Sequence, residues 1–292
     1  MPDWHAISAA LVDQGVNTGN IGGARPVSGG DINAAWRIEA DGLQLFVKTA
    51  PAASADMFTA EADGLQELAS ARAVRVPAVH GVGVAGADAF IALEWLSFES
   101  GNAAVQRNFG AQLAAMHRHT ADRFGWHRDN TIGLTPQRNA WSDDWVDFFR
   151  EQRLDFQLRL AADKGYTGEL QSLGQQLSVR LESLFSGYSP EPSLLHGDLW
   201  GGNWAVADGQ PVIFDPAVYY GDRESDLAMT KLFGGFGGAF YDAYESAWPM
   251  AAGSGARLEL YQLYHVLNHL NLFGGGYAGR SVAILRSLCR QL

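Results

Sequence analysis

Apolar and polar positions recur with two different periods along the chain, and the period changes near Phe98. Before Phe98 a period of two predicts short strands; Leu43, Leu45 and Val47, for example, share one face of such a strand. Two segments in this part instead have apolar side chains at helical spacing. The predicted elements are helices over residues 3–14 and 54–71 and strand-rich segments over residues 25–48, 79–84 and 90–95.

After Phe98 a helical period dominates. The predicted helices cover residues 108–119, 141–162, 168–185 and 258–273, with a further helix after residue 224 and a last one that reaches Leu292. One hairpin interrupts them, because Asp208-Gly209, a pair that favours a tight turn, stands between two apolar runs. The pattern predicts an α+β fold with two lobes, a small antiparallel-sheet lobe over residues 1–97 and a mainly helical lobe over residues 98–292.

Composition and charge narrow the class of protein. Of the 292 residues 47% are hydrophobic, which is ample for a buried core in one large or two modest domains. No apolar run approaches the ~20 residues of a membrane span, and the N-terminus lacks the pattern of a signal peptide. The single Cys289 fits a reducing compartment, and a net charge of −11 without a Lys/Arg cluster counts against nucleic-acid binding. A cytoplasmic protein without nucleic-acid or membrane partners is therefore expected, and a monomer is expected as well.

The stretch from His196 to Asp215, HGDLWGGNWAVADGQPVIFD, carries the strongest candidate chemistry. Asp198 and Asn203 lie in the loop before the predicted hairpin, and Asp215 lies at its exit. A carboxylate beside an acceptor hydroxyl can accept its proton, while an amide oxygen and a second carboxylate can hold Mg²⁺ against nucleotide phosphates. Protein kinases use an Asp, an Asn and a metal-binding Asp in this order. Here His-Gly-Asp replaces His-Arg-Asp, and Asp-Pro-Ala replaces Asp-Phe-Gly, so a small-molecule kinase of similar fold is favoured.

The sheet offers a candidate site for the nucleotide. Lys48 ends an alternating strand and Glu61 follows on the next predicted helix, which is the arrangement of the Lys–Glu pair of kinase folds. Two further segments are predicted to bind ATP, the glycine loop Ser28, Gly29 and Gly30 and the hinge from Glu94 to Leu96. Backbone N–H groups approach phosphates best where side chains are absent, although a hairpin turn is the commoner use of a Gly-Gly pair.

Four long runs of the chain resemble one known family: HGDLWGGNW, VIFDPAVYYGDRESDLAMTKLFGGF, residues 130–161 and YHVLNHLNLFGG. The family is that of the fructosamine-3-kinases, or ketosamine-3-kinases, and the resemblance covers nearly the whole chain. It implies a protein-kinase-like fold similar to aminoglycoside and choline kinases. It also implies phosphorylation of the 3-hydroxyl of ketosamines, the Amadori adducts of sugars on amines, with ATP and Mg²⁺. The acceptor would be a small ketosamine or a glycated protein lysine.

The resemblance also assigns roles to residues. It makes Asp198 the catalytic base and Asn203 with Asp215 the metal ligands, and it places Lys48, held by Glu61, on the nucleotide phosphates. Behind the catalytic loop it implies two supporting residues, His196 and Asp226, of which Asp226 braces the loop through hydrogen bonds. The residues expected to line the acceptor site are Trp200, Asp31, His265 and His269. Trp200 would offer its ring face to the cationic amine of the acceptor.

Two departures from the family pattern are visible. Some family members carry a cysteine in the glycine loop that allows redox-linked dimers, whereas residues 28–33 contain none, so redox control there is not expected. Lys231 stands where the family often has an acidic residue, and the consequence of that change is open.

Three other functions compete with this interpretation. The first is a kinase of the same fold that acts on an aminoglycoside, choline or homoserine. The second is a nucleotide-binding protein without catalysis, against which the joint presence of the kinase residues argues. The third is a metal hydrolase using His196, Asp198 and Asp215, for which no His-Glu-x-x-His helix is present. His117 and His119 do not share a helix face, so they are expected to be structural.

Overall fold

Within residues 1–19, 21–27 and 33–292, which the computed structural model describes, the N-terminal lobe forms a five-stranded antiparallel sheet. Its strands are β1 Ile21–Pro26, β2 Ala34–Ala40, β3 Leu43–Pro51, β4 Val79–Ala85 and β5 Asp88–Glu94, in the order β1-β2-β3-β5-β4. Strand β3 is central, and Lys48 lies opposite Ala35 of β2 and Ile91 of β5. Lys48 is therefore buried instead of lying on a solvent-exposed edge.

The hairpin between β2 and β3 turns at Asp41-Gly42, another pair of the kind that favours a tight turn. Asp41 and Gly42 have φ angles of 46° and 83°, so both lie in the left-handed region. A two-residue turn of this kind matches the twist of the strands that it joins. The local sequence therefore sets the register that brings Lys48 to the middle of the sheet.

Two helices cover opposite faces of the sheet. Helix α1, Trp4–Asp13, packs Ile7 and Leu11 against one face. Helix α2, Ala55–Ser70, packs Phe58 against the other face. Since the side chains of a strand alternate between faces, each face of the sheet has its own apolar core. Helix α2 also places Glu61 beside Lys48, which begins the candidate site.

The C-terminal lobe is mainly helical, and its core is a large apolar cluster with a smaller one around Met229, Leu232 and Val266. Its helices are α3 Ala103–His117, α4 Trp145–Phe149, α5 Asp155–Asp163, α6 Glu169–Val179, α7 Glu224–Leu232, α8 Gly238–Ala247, α9 Ser254–Phe273 and α10 Ala278–Cys289. The sheet ends at Glu94 and α3 begins at Ala103, so the predicted division between residues 97 and 98 falls in the connection and stays a prediction. Among the described residues no helix is long and apolar enough to span a membrane.

Some predicted helix limits are wrong, and capping explains two of them. Asn102 caps α3, because its Oδ1 accepts the Ala104 N–H at 2.9 Å, so this helix starts before residue 108. Asp144 caps α4 through the Asp147 N–H at 2.8 Å, so that helix starts after residue 141. A π-helical turn joins α4 to α5, α6 ends at Val179 and is followed by a 3₁₀ turn, and α8 was not predicted.

Short strands position the loops of the C-terminal lobe. They are β6 Asn130–Ile132, β7 Thr135–Gln137, β8 Ser193–Leu195, β9 Trp204–Ala207, β10 Gln210–Ile213 and β11 Tyr219–Gly221, paired as β6–β7, β8–β11 and β9–β10. The β9–β10 turn is Asp208-Gly209, as predicted, with φ angles of 51° and 71°. The loop of residues 196–203 runs from β8 into this hairpin, and Asp215 follows its exit.

Candidate active site

A cleft of about 540 Å³ is lined by residues of both lobes. Its charged side chains are Lys48, Glu61, Asp198 and Asp215. Its aromatic side chains are Trp200, Phe233, His269, Phe273 and Tyr277. Charged groups and rings thus share one cavity, and they come from segments that are far apart in the sequence.

Lys48 joins the two lobes through carboxylates. Its Nζ donates to Glu61 Oε1 at 2.7 Å and also to Asp215 Oδ1. Burial lowers the pKa of Lys48, but the Asp215 and Glu61 carboxylates more than offset this effect, so the pKa is raised. The lysine therefore keeps its charge and can attract phosphate oxygens.

Asp215 leaves the hairpin in an unusual backbone conformation. Its φ angle is 56°, in the left-handed region that residues other than glycine rarely adopt. Strained positions of this kind cluster at functional sites. The preceding Phe214 N–H donates to the Asn203 carbonyl at 3.1 Å, which ties the hairpin exit to the loop.

Asn203 connects the two carboxylates of the loop and the hairpin. Its Nδ2 donates to the Asp198 carbonyl at 2.9 Å and to Asp198 Oδ2 at 3.2 Å. The same nitrogen lies 3.4 Å from the Asp215 carbonyl. Because the amide nitrogen is used in this way, Oδ1 is left for another partner. Asn203 Oδ1 and the Asp215 carboxylate are hard oxygen donors, which suits Mg²⁺ with water and phosphate as its other ligands.

The Asp198 carboxyl has an unusual acidity for its type. Burial and the nearby Asp215 carboxylate raise its pKa and the Asn203 hydrogen bond lowers it, and the net effect is a pKa of about 7. A base with a pKa near 7 is well matched to proton transfer at neutral pH.

His196 supports the loop as a neutral side chain. Its Nε2 donates to the Phe214 carbonyl at 2.9 Å, and its Nδ1 accepts the Asp198 N–H at 3.2 Å. These partners fix the tautomer, and burial lowers the pKa of His196 below its usual value. The ring therefore links the backbone of the loop at Asp198 to the backbone at the hairpin exit, at Phe214.

Asp226 holds the same loop by hydrogen bonds to its backbone, as predicted. Its carboxylate accepts the His196 N–H at 2.8 Å and the Gly197 N–H at 2.9 Å. Burial raises the pKa of Asp226, but hydrogen bonding to His117 and the proximity of His196 outweigh this, and the pKa is lowered. His117 Nε2 lies 3.2 Å from Asp226 Oδ2, and its Nδ1 accepts the Tyr244 O–H at 2.8 Å. The sequence predicted a structural role for His117, but it did not show that His117 supports the loop through Asp226.

The aromatic end of the cleft contains two of the predicted acceptor residues. The Trp200 ring lies 6.2 Å from Phe233 in a T-shaped contact, and Phe233 lies 4.8 Å from His269. His269 Nδ1 donates to the His265 carbonyl at 2.8 Å, which orients the ring. Trp200 and His269 therefore lie on one wall with Phe233.

His265 does not line the cleft, so its predicted place there is wrong. The cleft meets α9 at Asn268, His269, Leu272 and Phe273, and the preceding turn packs into the helical core. His265 is buried there, and burial lowers its pKa to about 3. Of the two successive helix turns that carry His265 and His269, only the second reaches the cavity.

The structure gives less information on the predicted glycine loop and hinge. Ser28, Gly29, Gly30 and Asp31 lie outside the described residues. The Glu94 carboxylate is engaged by Arg75 at 2.8 Å and by the Ala78 N–H at 3.2 Å, and the Glu94 N–H donates to the Ala78 carbonyl. The Glu94 side chain is thus used within the protein, and neither Glu94 nor Leu96 lines the cavity described above. Their role as a hinge stays a prediction.

Fold and site together define the class: a phosphotransferase of protein-kinase-like fold. An aminoglycoside phosphotransferase solved with ADP and hygromycin B matches with a TM-score of 0.65 and 16% identity over 98% of both chains. At that identity the match shows the fold alone.

The chain belongs to the fructosamine kinase family, which confirms the resemblance seen in the sequence; the family model matches residues 3–291. A probable ketoamine kinase of Synechocystis sp. is 43% identical over 289 residues, 98% of this chain and 97% of the relative. A chloroplastic protein-ribulosamine 3-kinase of Arabidopsis thaliana is 42% identical over 270 residues, 91% of this chain and 82% of the relative. A crystal structure from Haemophilus somnus that is named as a fructosamine-3-kinase matches with a TM-score of 0.90 and 30% identity over 98% and 97% of the chains.

Proposed function

We propose that the protein transfers the γ-phosphoryl group of ATP to the 3-hydroxyl of a ketosamine, with Mg²⁺ as cofactor. The observation that carries this proposal is a single cleft that holds Asp198, the Lys48–Glu61–Asp215 cluster and an aromatic wall. Membership of the fructosamine kinase family supports the acceptor class, as do the names of the ketoamine and ribulosamine kinases among the relatives.

The nucleotide would bind at the charged end of the cleft. Lys48 would contact phosphate oxygens, and Glu61 holds its ammonium group at 2.7 Å. The glycine loop of residues 28–30 and the backbone from Glu94 to Leu96 would complete the site around phosphates and adenine. Lys48 also contacts Asp215. A bound phosphate would therefore compete with the Asp215 carboxylate for the Lys48 ammonium group.

Asn203 and Asp215 would hold Mg²⁺ next to these phosphates. When bound, the ion neutralises phosphate charge and aligns the γ-phosphoryl group for transfer. Asn203 is itself held by the Asp198 carbonyl, so the two oxygen donors come from elements that are linked to each other. In the part of the chain that the structure describes, no group of three or more His, Cys, Asp or Glu side chains forms a metal site. Two protein oxygens are what Mg²⁺ needs when phosphates and water supply the rest.

Asp198 would act as the catalytic base. As the acceptor oxygen forms its bond to the γ-phosphorus, its proton passes to the Asp198 carboxylate and ADP leaves. A pKa of about 7 lets Asp198 take up that proton near neutral pH and release it afterwards. His196 and Asp226 do not touch the substrates in this scheme and hold the loop in place.

The aromatic wall would recognise the sugar and its amine. The secondary amine of a ketosamine is largely protonated near neutral pH, and a cation is attracted to ring faces. Trp200 and His269 are the acceptor residues that this proposal names, with Phe233 between them. The chain has a net charge of −11, which also favours a cationic over an acidic acceptor.

An acceptor panel tests the proposal. ADP release would be measured with fructosamine, ribulosamine and erythrulosamine adducts, each as a small molecule and on a protein lysine. Free fructose, choline, homoserine and an aminoglycoside serve as controls. We expect turnover with the ketosamines and little with the controls; turnover of free fructose equal to fructosamine would contradict the cationic-acceptor proposal. A cytoplasmic location and a monomeric state stay predictions.

A further inference from the structure

Helix α2 presents two different faces to its surroundings. One face carries Glu61, which reaches Lys48 in the cleft. The other face carries three acidic side chains, Asp56, Asp63 and Glu67, whose spacing of seven and four residues aligns them in one stripe. Each of these carboxylates accepts a hydrogen bond from the C-terminal lobe. The helix that holds Lys48 is therefore attached to the opposite lobe.

Arg128 binds two members of this stripe with one side chain. Its NH1 donates to Asp63 Oδ2 at 2.5 Å, and its NH2 donates to Asp56 Oδ1 at 2.5 Å. Seven residues of helix span about 10 Å, which is two turns. A planar guanidinium can serve both carboxylates at once, whereas the single ammonium of a lysine cannot reproduce this fork. Arg128 thus contacts two successive parts of α2 with one side chain.

The anchor itself is held firmly. The Arg128 carbonyl accepts from Asn139 Nδ2 at 3.1 Å, and Asp129 Oδ1 accepts the Asn139 N–H at 2.8 Å. Asn130 Nδ2 donates to the Val218 carbonyl at 2.8 Å, three residues after Asp215. Arg128 is therefore tied to the same chain segment that carries the proposed metal ligand.

A second attachment lies one turn further along α2. Glu67 accepts the Tyr220 O–H at 2.7 Å and the Trp126 Nε1–H at 3.4 Å. Between the two attachments the Val218 side chain packs closely against α2, because a Cβ atom on Gly64 would lie 3.2 Å from Val218 Cγ2. Any swing of α2 away from the cleft would have to break these contacts.

We propose that Arg128 is a positioning residue, which locks α2 to the C-terminal lobe and thereby keeps Glu61 in reach of Lys48. Arg128 does not line the cleft, so its effect on the nucleotide would pass through Glu61. The inference rests on the proposed function, because Lys48 is taken to bind the nucleotide phosphates. Two ion pairs that lie outside the cleft would then hold α2 in place.

A double-mutant cycle tests the coupling. The Kd of Mg²⁺–ATP would be measured for Arg128→Gln, for Glu61→Gln and for both changes together. We expect Arg128→Gln to weaken binding about tenfold, which corresponds to ~1.4 kcal/mol. The double variant should bind no more weakly than Glu61→Gln alone, since the route through Glu61 is then already broken. Arg128→Lys should restore only part of the affinity.

Arg123→Gln is the matched control. Arg123 makes a similar fork to Asp143 at 2.7 and 3.3 Å, within the C-terminal lobe. Its removal should leave the nucleotide Kd unchanged. If Arg128→Gln does not fold, Asp63→Asn breaks one arm of the fork and should weaken binding in the same direction by a smaller factor.

Several results would overturn the inference. Unchanged affinity in Arg128→Gln would do so, and so would a loss that is undiminished in the Glu61→Gln background. A wild-type protein that does not bind Mg²⁺–ATP would instead remove the proposed function. Hydrogen exchange then tests the lock by itself: faster exchange of α2 amides in Arg128→Gln than in Arg123→Gln supports it, and equal exchange refutes it.

Discussion

The two ends of the cleft are built from different interactions. At the proposed nucleotide end, Lys48, Glu61 and Asp215 form an ion-paired cluster whose members come from a strand, a helix and a hairpin exit. At the proposed acceptor end, Trp200 and Phe233 meet edge to face, with His269 beside them. One end is held by charges with defined partners, and the other by ring contacts with few hydrogen bonds.

This difference indicates how each end tolerates change. A charged group that loses its partner in a partly buried site is costly, so substitutions at the nucleotide end should damage the reaction for every acceptor. Ring contacts are broader in geometry and individually weaker. Substitutions at the acceptor end should therefore change which substrate is bound well and leave the chemical step largely intact.

The largest effect on the reaction rate is expected at Asp198, the proposed base, which would act on both the nucleotide and the acceptor. Asp198→Asn should lower kcat by about 10²–10⁴-fold, the contribution of a positioned base, with little effect on ATP binding. Steady-state rates and ATP titration measure the two quantities. Asp208→Asn, at the exposed turn of the neighbouring hairpin, is the control. A kcat near that of the wild type would exclude Asp198 as the base.

The next effect concerns the nucleotide end alone. Asp215→Ala should abolish the Mg²⁺ dependence of ATP binding, because it removes the proposed carboxylate ligand and one partner of Lys48. ATP would be titrated with and without Mg²⁺ in this variant and in Asp208→Ala. If both variants respond to Mg²⁺ as the wild type does, the metal assignment is refuted.

A smaller and more selective effect is expected at the acceptor end. Trp200→Ala should raise KM for the ketosamine but not for ATP, since a cation on a ring contributes about 0.5–2 kcal/mol, roughly 2- to 30-fold. Trp141→Ala is a close control, because Trp141 is 39% exposed and Trp200 is 38% exposed, yet only Trp200 lines the cleft. A Trp200 variant that loses only thermal stability would mean that the ring merely packs against the loop.

The smallest expected effect is on stability, through the pKa of Asp198. In the unfolded chain this carboxyl ionises at about pH 4, whereas in the folded site it stays protonated until about pH 7. The folded state therefore loses stability as the pH rises through that window. Asp198→Asn keeps the site neutral, so its Tm should exceed that of the wild type by about 2–4 °C at pH 8 and by less at pH 4.5. An equal difference at both values would contradict the raised pKa.

Local interactions made several features readable from the sequence. Asp3 caps α1 by accepting the Ala6 N–H at 3.0 Å, and Asp-Gly pairs form the turns of two hairpins. These features depend on neighbours within a few residues, so their spacing in the chain carries the information. The order of Asp198, Asn203 and Asp215 is of the same kind, because one loop and one hairpin bring the three together.

Packing between distant segments decided the rest. The sequence does not show that only His269, and not His265, reaches the cleft. Which of the two does so depends on which turns of α9 are buried in the helical core. The acidic stripe of α2 likewise reads as a solvated helix face until Arg128, 65 residues after Asp63, is placed against it. The sequence determined which groups can do chemistry, and the tertiary structure decided which of them face a partner, because side-chain direction and long-range ion pairs are set by how the lobes pack.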